Sequence, residues 1–142
     1  MVGNVSPQRK KLVEETKRCL EIGIEAAQPW NTVGDIGYAI ENYANKHNLG
    51  VVKELCGHGV GTSVHEDPEV PNFGIPNTGP RLKEGMVIAI EPMITAGSPR
   101  IFIHDNNWTI DTEDGSPSAH FEHTIVVTAD GYEILTGERK DG

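Results

Sequence analysis

Residues 55–66 of this 142-residue chain read LCGHGVGTSVHE. The segment presents two histidines, His58 and His65, on a backbone that contains three glycines. Glycine at this density allows sharp turns and lets a ligand approach closely, because no Cβ stands in the way. A β-rich run over 51–55 precedes the segment, and a loop rich in proline and glycine follows it. The pattern favours a pair of imidazoles that contact a metal or a carbonyl oxygen; the alternative is a tight turn with two ordinary histidines.

The spacing of the glycines excludes two common nucleotide-binding motifs. A dinucleotide-binding fingerprint, G-x-G-x-x-G, leads from a strand into a helix. Here Thr62 stands where the third glycine is required, and no helix is predicted to follow. A phosphate-binding P-loop has lysine and then serine or threonine after its last glycine, whereas Gly61 is followed by Thr62 and Ser63. The segment therefore predicts neither motif.

Composition and charge narrow the class of protein. A chain of 142 residues has the size of one ordinary domain, so we predict a single domain over residues 1–142. The formal net charge of −9 argues against nucleic acid and anionic membranes as partners. No apolar run approaches the ~20 residues needed to span a bilayer, and the start shows no export signal. Because Cys19 and Cys56 are too few for a disulfide framework, we predict a cytoplasmic protein.

The part of the chain before the glycine segment predicts two amphipathic helices. The first begins at Ser6-Pro7 and ends before Pro29, with apolar residues recurring at helical spacing. Thr32 caps the second helix, with Asp35 three residues further on, and this helix ends near residues 48–50. Residues 1–5 are predicted to be the tail of a strand.

The remainder of the chain predicts an antiparallel sheet. Strands are expected over 86–90, 100–104, 108–110, 120–128 and 132–136, and a stiff loop without secondary structure over 67–80. The first of these strands is continuously apolar, which predicts burial on both faces. The next two strands form one hairpin, and the last two form another through the turn Asp130-Gly131. Two helices packed on an antiparallel sheet make an α+β domain.

Two carboxylates, Glu91 and Glu122, lie at or within strands that are predicted to be buried. A buried carboxylate is costly unless an arginine, backbone amides or a metal satisfies it. The chain has only 12 lysines and arginines, and none is near either glutamate in sequence, which favours a metal. His58 would add an imidazole, and this set of donors suits Mn, Fe, Co or Zn. The alternative is that both glutamates are hydrogen-bonded sheet residues.

Three segments together resemble type I methionine aminopeptidase, a pita-bread metallopeptidase. They are CGHGVG…HE over 56–66, IEPM over 90–93 and FEHTIVVT over 121–128. Their order and spacing match over nearly the whole chain, and prolidases share the His-Gly and Glu-Pro elements. By this resemblance the chain is the C-terminal half of the pita-bread fold. The resemblance also implies removal of N-terminal methionine from nascent proteins, by a hydroxide held between two divalent metals.

The resemblance implies a role for each of several residues. His58 and Glu91 would bind one metal, and Glu122 would bridge both metals. His65 would be the catalytic histidine, which contacts the scissile peptide of the substrate and steadies the tetrahedral intermediate. The residues expected near the methionine pocket, as further substrate contacts, are Trp108 and Cys56.

The family's two aspartate ligands belong to an N-terminal half that this chain does not resemble. No aspartate of this chain lies in a matching context, so at most one metal is expected in the chain alone. The resemblance then implies a partner, which is either the N-terminal half or a second copy in a homodimer. Two alternatives remain open: a non-catalytic pita-bread module that binds a peptide or protein, and a structural domain whose glutamates are satisfied internally.

Overall fold

Two helices come first in the chain and short strands follow them. The computed structural model describes residues 7–53, 56–59, 66–97, 101–103, 110–112 and 117–136. The helices are α1 (Pro7–Glu25) and α2 (Val33–Lys46). The strands in these ranges are β1 (Gly50–Val51), β2 (Cys56–Gly59), β3 (Glu66–Pro71), β4 (Val87–Ile90), β5 (Met93–Thr95), β6 (Ile101–Ile103), β7 (Ile110–Thr112), β8 (Ser118–His120), β9 (His123–Val127) and β10 (Tyr132–Ile134).

Helix α2 begins with the predicted cap. The backbone N–H of Asp35 donates to the Thr32 hydroxyl at 3.3 Å, and the N–H of Thr32 donates to the Asp35 carboxylate at 2.8 Å. This reciprocal pair is a capping box. The other carboxylate oxygen accepts the N–H of Asn77 at 2.9 Å, so the helix start also anchors the loop after β3. The predicted cap of α1, Ser6, and the predicted strand tail over 1–5 lie outside the described residues.

The described strands form antiparallel sheets on which both helices pack. The largest sheet has the order β10-β9-β4-β2-β3, a second has the order β1-β5-β8, and β6 pairs with β7. Apolar side chains from both helices and both larger sheets make one buried cluster, which includes Leu12, Leu20, Ile24, Ile36, Ile40, Ile88, Ile90, Ile94 and Ile125. The predicted α+β arrangement is confirmed. Neither helix in the described part of the chain is long and apolar enough to cross a lipid bilayer.

Antiparallel strand pairs lie where both hairpins are predicted, but β7 covers Ile110–Thr112 rather than 108–110, and residues 108 and 109 lie outside the described residues. Ile101 pairs with Thr112 between β6 and β7, and Tyr132 pairs with Val127 between β10 and β9. In the second hairpin the N–H of Thr128 donates to the carbonyl of Gly131 at 2.9 Å. The two residues at the tip are therefore Ala129 and Asp130, one residue earlier than the predicted turn Asp130-Gly131. The continuously apolar strand is also confirmed as β4, in which three of the four residues are buried.

The predicted loop over 67–80 is wrong in its first part, because β3 occupies Glu66–Pro71 and pairs with β2. Proline cannot donate to a strand ladder, and the sequence prediction gave that fact too much weight. Strand β3 is the last strand in the order of its sheet. Within the described residues β3 has a strand neighbour on one side only, and such an edge tolerates proline. Pro68 also lies between Glu66 and Glu69, where the register with β2 shifts.

The predicted strand over 120–128 is in fact two strands, β8 and β9, separated by Phe121 and Glu122. Strand β8 pairs with β5, whereas β9 pairs with β4, so the chain passes from one sheet to the other at this point. A matching break separates β4 from β5 at Glu91 and Pro92. The two breaks are neighbours, since the N–H of Phe121 donates to the carbonyl of Pro92 at 3.3 Å. Both glutamates therefore lie at the junction between the sheets.

Candidate metal centre

The strand register places His58 and Glu91 on the same face of the largest sheet. His58 of β2 pairs with Ala89 of β4, so these two side chains share a face. Glu91 follows Ala89 by two residues, and successive side chains along a strand alternate between faces. The glutamate at the end of β4 is thus a diagonal neighbour of the histidine on β2.

Glu122 reaches the same point from the next strand. Ile90 pairs with His123 in antiparallel register, so Glu91, one residue beyond β4, lies beside Glu122, one residue before β9. A ring nitrogen of His58 and one oxygen of each carboxylate all lie within 4.8 Å of one another. Among the residues that the structure describes, no other group of three or more His, Cys, Asp and Glu side chains has this spacing. The structure brings together the three predicted ligands.

The three side chains differ in exposure. His58 and Glu91 are half-buried, whereas Glu122 is exposed. The expectation that Glu122 is a buried carboxylate is therefore wrong, because this residue lies in the connection between β8 and β9 rather than inside a strand. Water can satisfy the exposed carboxylate of Glu122, so the argument that a buried carboxylate needs a metal does not apply to this residue. The reason is instead its closeness to Glu91 and His58.

The carboxyl group of Glu91 has a pKa raised to about 7. Burial is the largest cause, and a hydrogen bond to Glu122 and the negative charge of Glu122 raise the pKa further, while His58 acts in the opposite direction. Two adjacent carboxylates resist simultaneous ionisation, so without a cation they share a proton. A divalent cation can take the place of that proton. The pair therefore fits a metal by its own electrostatics.

The imidazole of His58 is held in one tautomer. Its Nδ1 lies 3.0 Å from the backbone carbonyl oxygen of Gly59. A carbonyl oxygen only accepts hydrogen bonds, so Nδ1 carries the proton and the lone pair of the neutral ring is on Nε2. Metal-binding histidines commonly donate their other N–H to a backbone carbonyl in this way. One imidazole and two carboxylates form a donor set that suits a divalent transition metal.

Cys56 is the one predicted substrate contact within the described residues. It lies on β2 two residues before His58, so its side chain points to the same face of the sheet. Burial raises the pKa of its thiol, and the charges of Glu69 and Glu91 raise it further. Cys56 is therefore a neutral, half-buried thiol near Glu91. The other predicted substrate contacts lie outside the described residues: His65 and Trp108.

One buried residue next to the candidate ligands is absent from the sequence prediction. Asn72 follows β3 directly and is fully buried. Its side-chain amide donates a hydrogen bond to the backbone carbonyl of Glu91, with an N···O distance of 3.2 Å. The local signal is a polar residue between Pro71 and Phe73 in an apolar stretch, which predicts a buried side chain that needs a hydrogen-bond partner.

The raised pKa of Glu91 predicts a pH-dependent stability for the metal-free chain. This carboxyl has a pKa of about 7 in the folded chain, against an ordinary value of 4.5. It thus binds its proton more tightly in the folded state. Its contribution to stability is fully present below about pH 4.5 and is lost as the pH rises through about 7. Glu91→Gln keeps an N–H donor towards Glu122 but does not titrate, so it should lose this part of the pH dependence.

Urea denaturation of chelator-treated protein measures this effect. Between about pH 5 and about pH 8, the free energy of unfolding of the unaltered chain should fall relative to that of Glu91→Gln. Glu69→Gln is a matched control, because Glu69 is an exposed carboxylate on β3, a strand of the same sheet that β2 separates from β4. Parallel pH profiles for the unaltered chain and Glu91→Gln would contradict the prediction.

Comparison with known proteins identifies the family. Residues 1–129 match the sequence profile of metallopeptidase family M24. Methionine aminopeptidase 1 from Bacillus subtilis is 50% identical over 135 residues, which are 95% of this chain and 54% of that protein. The crystal structure of methionine aminopeptidase from Rickettsia prowazekii superposes on this chain with a TM-score of 0.93 at 47% identity. The superposition covers 96% of this chain and 55% of the Rickettsia chain. The enzyme from Thermotoga maritima gives a TM-score of 0.92 at 43% identity, with the same coverage.

These similarities confirm the resemblance to methionine aminopeptidases and the pita-bread fold. The chain spans about half the length of the relatives it matches. Membership of a metallopeptidase family implies divalent metal ions, in agreement with the donor set of His58, Glu91 and Glu122. On the match of its sequence and its fold, the chain belongs to metallopeptidase family M24.

Proposed function

We propose that this chain is the C-terminal half of a methionine aminopeptidase, and that the complete enzyme removes N-terminal methionine from peptides and nascent proteins. The observation that carries the proposal is the convergence of His58, Glu91 and Glu122 within 4.8 Å. The substrate is supported by the relatives, which are named methionine aminopeptidases. We assign the activity to the cytoplasm, because Cys19 and Cys56 are free thiols, as expected in a reducing compartment.

In this proposal His58, Glu91 and Glu122 hold a divalent ion, with Mn, Fe, Co or Zn suited to the donors. When bound, such an ion polarises a carbonyl group and lowers the pKa of a water molecule. The contribution of the chain is to fix its donors: β2 and β4 hold two of them by strand pairing, and the carbonyl of Gly59 sets the imidazole tautomer. The two glutamates give up their shared proton on binding, so metal binding should release protons below about pH 7.

We expect one ion per chain, because the described residues offer one such group of donors. A second ion, which the resemblance implies for the complete site, would need ligands from outside this group. The partner that supplies them is either the N-terminal half of the enzyme or a second copy of this chain. The first of these is the arrangement we propose, since the matched relatives are about twice as long as this chain.

We also propose three contacts to the substrate. Cys56 is supported by its place on the same sheet face as His58 and by its neutral thiol, which suits the wall of a pocket for a methionine side chain. The roles of His65, as hydrogen-bond partner of the scissile peptide, and of Trp108, as a wall of the methionine pocket, rest on the family resemblance.

Hydrolysis of a Met-Ala-Ser peptide tests the proposed function. The purified chain is assayed with Mn²⁺ or Co²⁺, alone and with the segment of the Bacillus subtilis enzyme that has no counterpart in this chain. We expect turnover in the complemented mixture. His58→Ala should lower kcat/KM by more than about 100-fold, since a lost ligand costs more than a lost outer-shell partner.

The other outcomes of this assay are informative. Turnover by the chain alone, abolished by His58→Ala, would show that a second copy of this chain, rather than the N-terminal half, completes the site. Peptide binding without turnover in either mixture would contradict the proposed enzyme and support a non-catalytic binding module.

A further inference from the structure

The backbone carbonyl of Glu91 lies at a break in the sheet. Strand β4 ends at Ile90, and the next residue after Glu91 is Pro92, whose nitrogen carries no hydrogen. A regular strand ladder therefore does not continue through this peptide. The hydrogen bond to the Glu91 carbonyl comes instead from a side chain, the amide of Asn72, at 3.2 Å.

Asn72 is well placed to connect the two strands that carry candidate ligands. It is 0% exposed and directly follows β3, the strand that pairs with the His58-bearing β2. The preceding residue, Pro71, pairs with Cys56 of β2. The backbone of Asn72 is thus held next to β2, while its side chain holds the backbone of Glu91.

We propose that Asn72 is a positioning residue for the metal ligand Glu91, an inference that rests on the proposed function. The donated hydrogen bond holds the peptide plane between Glu91 and Pro92, and the plane sets the direction in which the Glu91 side chain leaves the backbone. Metal affinity depends on this direction, because a ligand must approach the ion at a defined distance and angle. Outer-shell hydrogen bonds typically change metal affinity by about 10–100-fold.

Calorimetric titration with Co²⁺, without any peptide substrate, tests the inference. Asn72→Leu removes the donor with little change in side-chain size, and we expect it to raise the Kd for Co²⁺ by about 10–100-fold. The visible absorption spectrum of the bound Co²⁺ should also change, because the position of one ligand changes. If Asn72→Leu does not fold, Asn72→Ala serves as the second variant, since it also removes the donor and adds neither bulk nor charge; the same increase in Kd is expected.

A matched control separates positioning from a general loss of stability. Thr16 is also a fully buried polar residue, and its hydroxyl donates to the carbonyl of Leu12 at 2.7 Å within α1, a helix that carries no candidate ligand. Thr16→Val should lower the stability of the chain and leave the Kd for Co²⁺ unchanged.

The two hypotheses fail in different ways. A wild-type Kd for Co²⁺ in the folded Asn72 variants would overturn the positioning role and leave the proposed function standing. Failure of the unaltered chain to bind Co²⁺ would overturn both.

Discussion

His58→Ala is expected to remove most of the stabilisation that Co²⁺ gives to the unaltered chain. A ligand that binds only the folded state stabilises it by about 2.7 kcal/mol when its free concentration is about 100 times Kd. The substitution leaves two carboxylates, and one of them, Glu122, is exposed. Without the imidazole, the metal has one donor fewer, and it still competes with the proton that the two carboxylates share in the metal-free chain. The Kd for Co²⁺ should therefore rise until little stabilisation is left at the same metal concentration.

Urea denaturation with and without Co²⁺ measures this metal-dependent increment in the free energy of unfolding. His47→Ala is the matched histidine control, because His47 lies at the end of α2, where its Nδ1 is 2.8 Å from the Glu15 carboxylate. Its loss should lower stability equally with and without Co²⁺, so the increment stays the same. An undiminished increment in His58→Ala would contradict the assignment of His58 as a ligand.

Gly57→Ala is expected to cost about 3 kcal/mol or more of stability, or to prevent folding. Gly57 lies on β2 immediately before His58. A Cβ at this position would lie 2.0 Å from the carbonyl oxygen of Ala89 and 3.2 Å from the Cα of Ile90. Both atoms belong to the backbone of β4, which is paired with β9 on its other side. Overpacking costs about 1–3 kcal/mol where side chains can move aside, and backbone held between two strands has less room to move.

A second glycine supplies the control for this prediction. A Cβ on Gly131 would meet the side-chain oxygen of Gln28 at 3.2 Å. Because that flexible side chain can turn away, Gly131→Ala should cost less than about 1 kcal/mol. Urea denaturation gives both values, and the soluble fraction after expression reports on a variant that does not fold. A Gly57→Ala chain as stable as the unaltered one would contradict the close approach of β2 to β4. The same approach places His58 near Glu91.

The sequence predicts the candidate ligands because each stands beside a strong local pattern. His58 lies between glycines, Glu91 ends a continuous apolar run, and Glu122 precedes another. Such patterns indicate a close backbone approach or a buried strand end, and the capping box of Thr32 and Asp35 is equally local. The register between strands is different, because it depends on packing between segments that are distant in sequence. The convergence of the ligands therefore becomes visible only in the folded chain.

The sequence predictions that are wrong share a physical cause. The prolines of β3 argue against a strand in the sequence, but β3 lies at the edge of its sheet, where proline is tolerated. The break at Phe121 and Glu122 has no local breaker residue, because it is imposed by pairing with two different sheets. The exposure of Glu122 follows from that break. Asn72 gives only a weak signal, since its partner is a backbone carbonyl 19 residues further on.

Counting the Mn²⁺ ions that the chain binds tests the metal centre most directly. Bound Mn²⁺ loses the electron paramagnetic resonance signal of the free hydrated ion. The remaining signal therefore measures the free Mn²⁺, and the difference from the total gives the number of ions bound per chain. We predict about one tightly bound ion for the unaltered chain, held by the cluster of His58, Glu91 and Glu122, and release of that ion in Glu91→Gln. No bound Mn²⁺ in the unaltered chain, or equal binding by Glu91→Gln, would contradict the proposed metal centre.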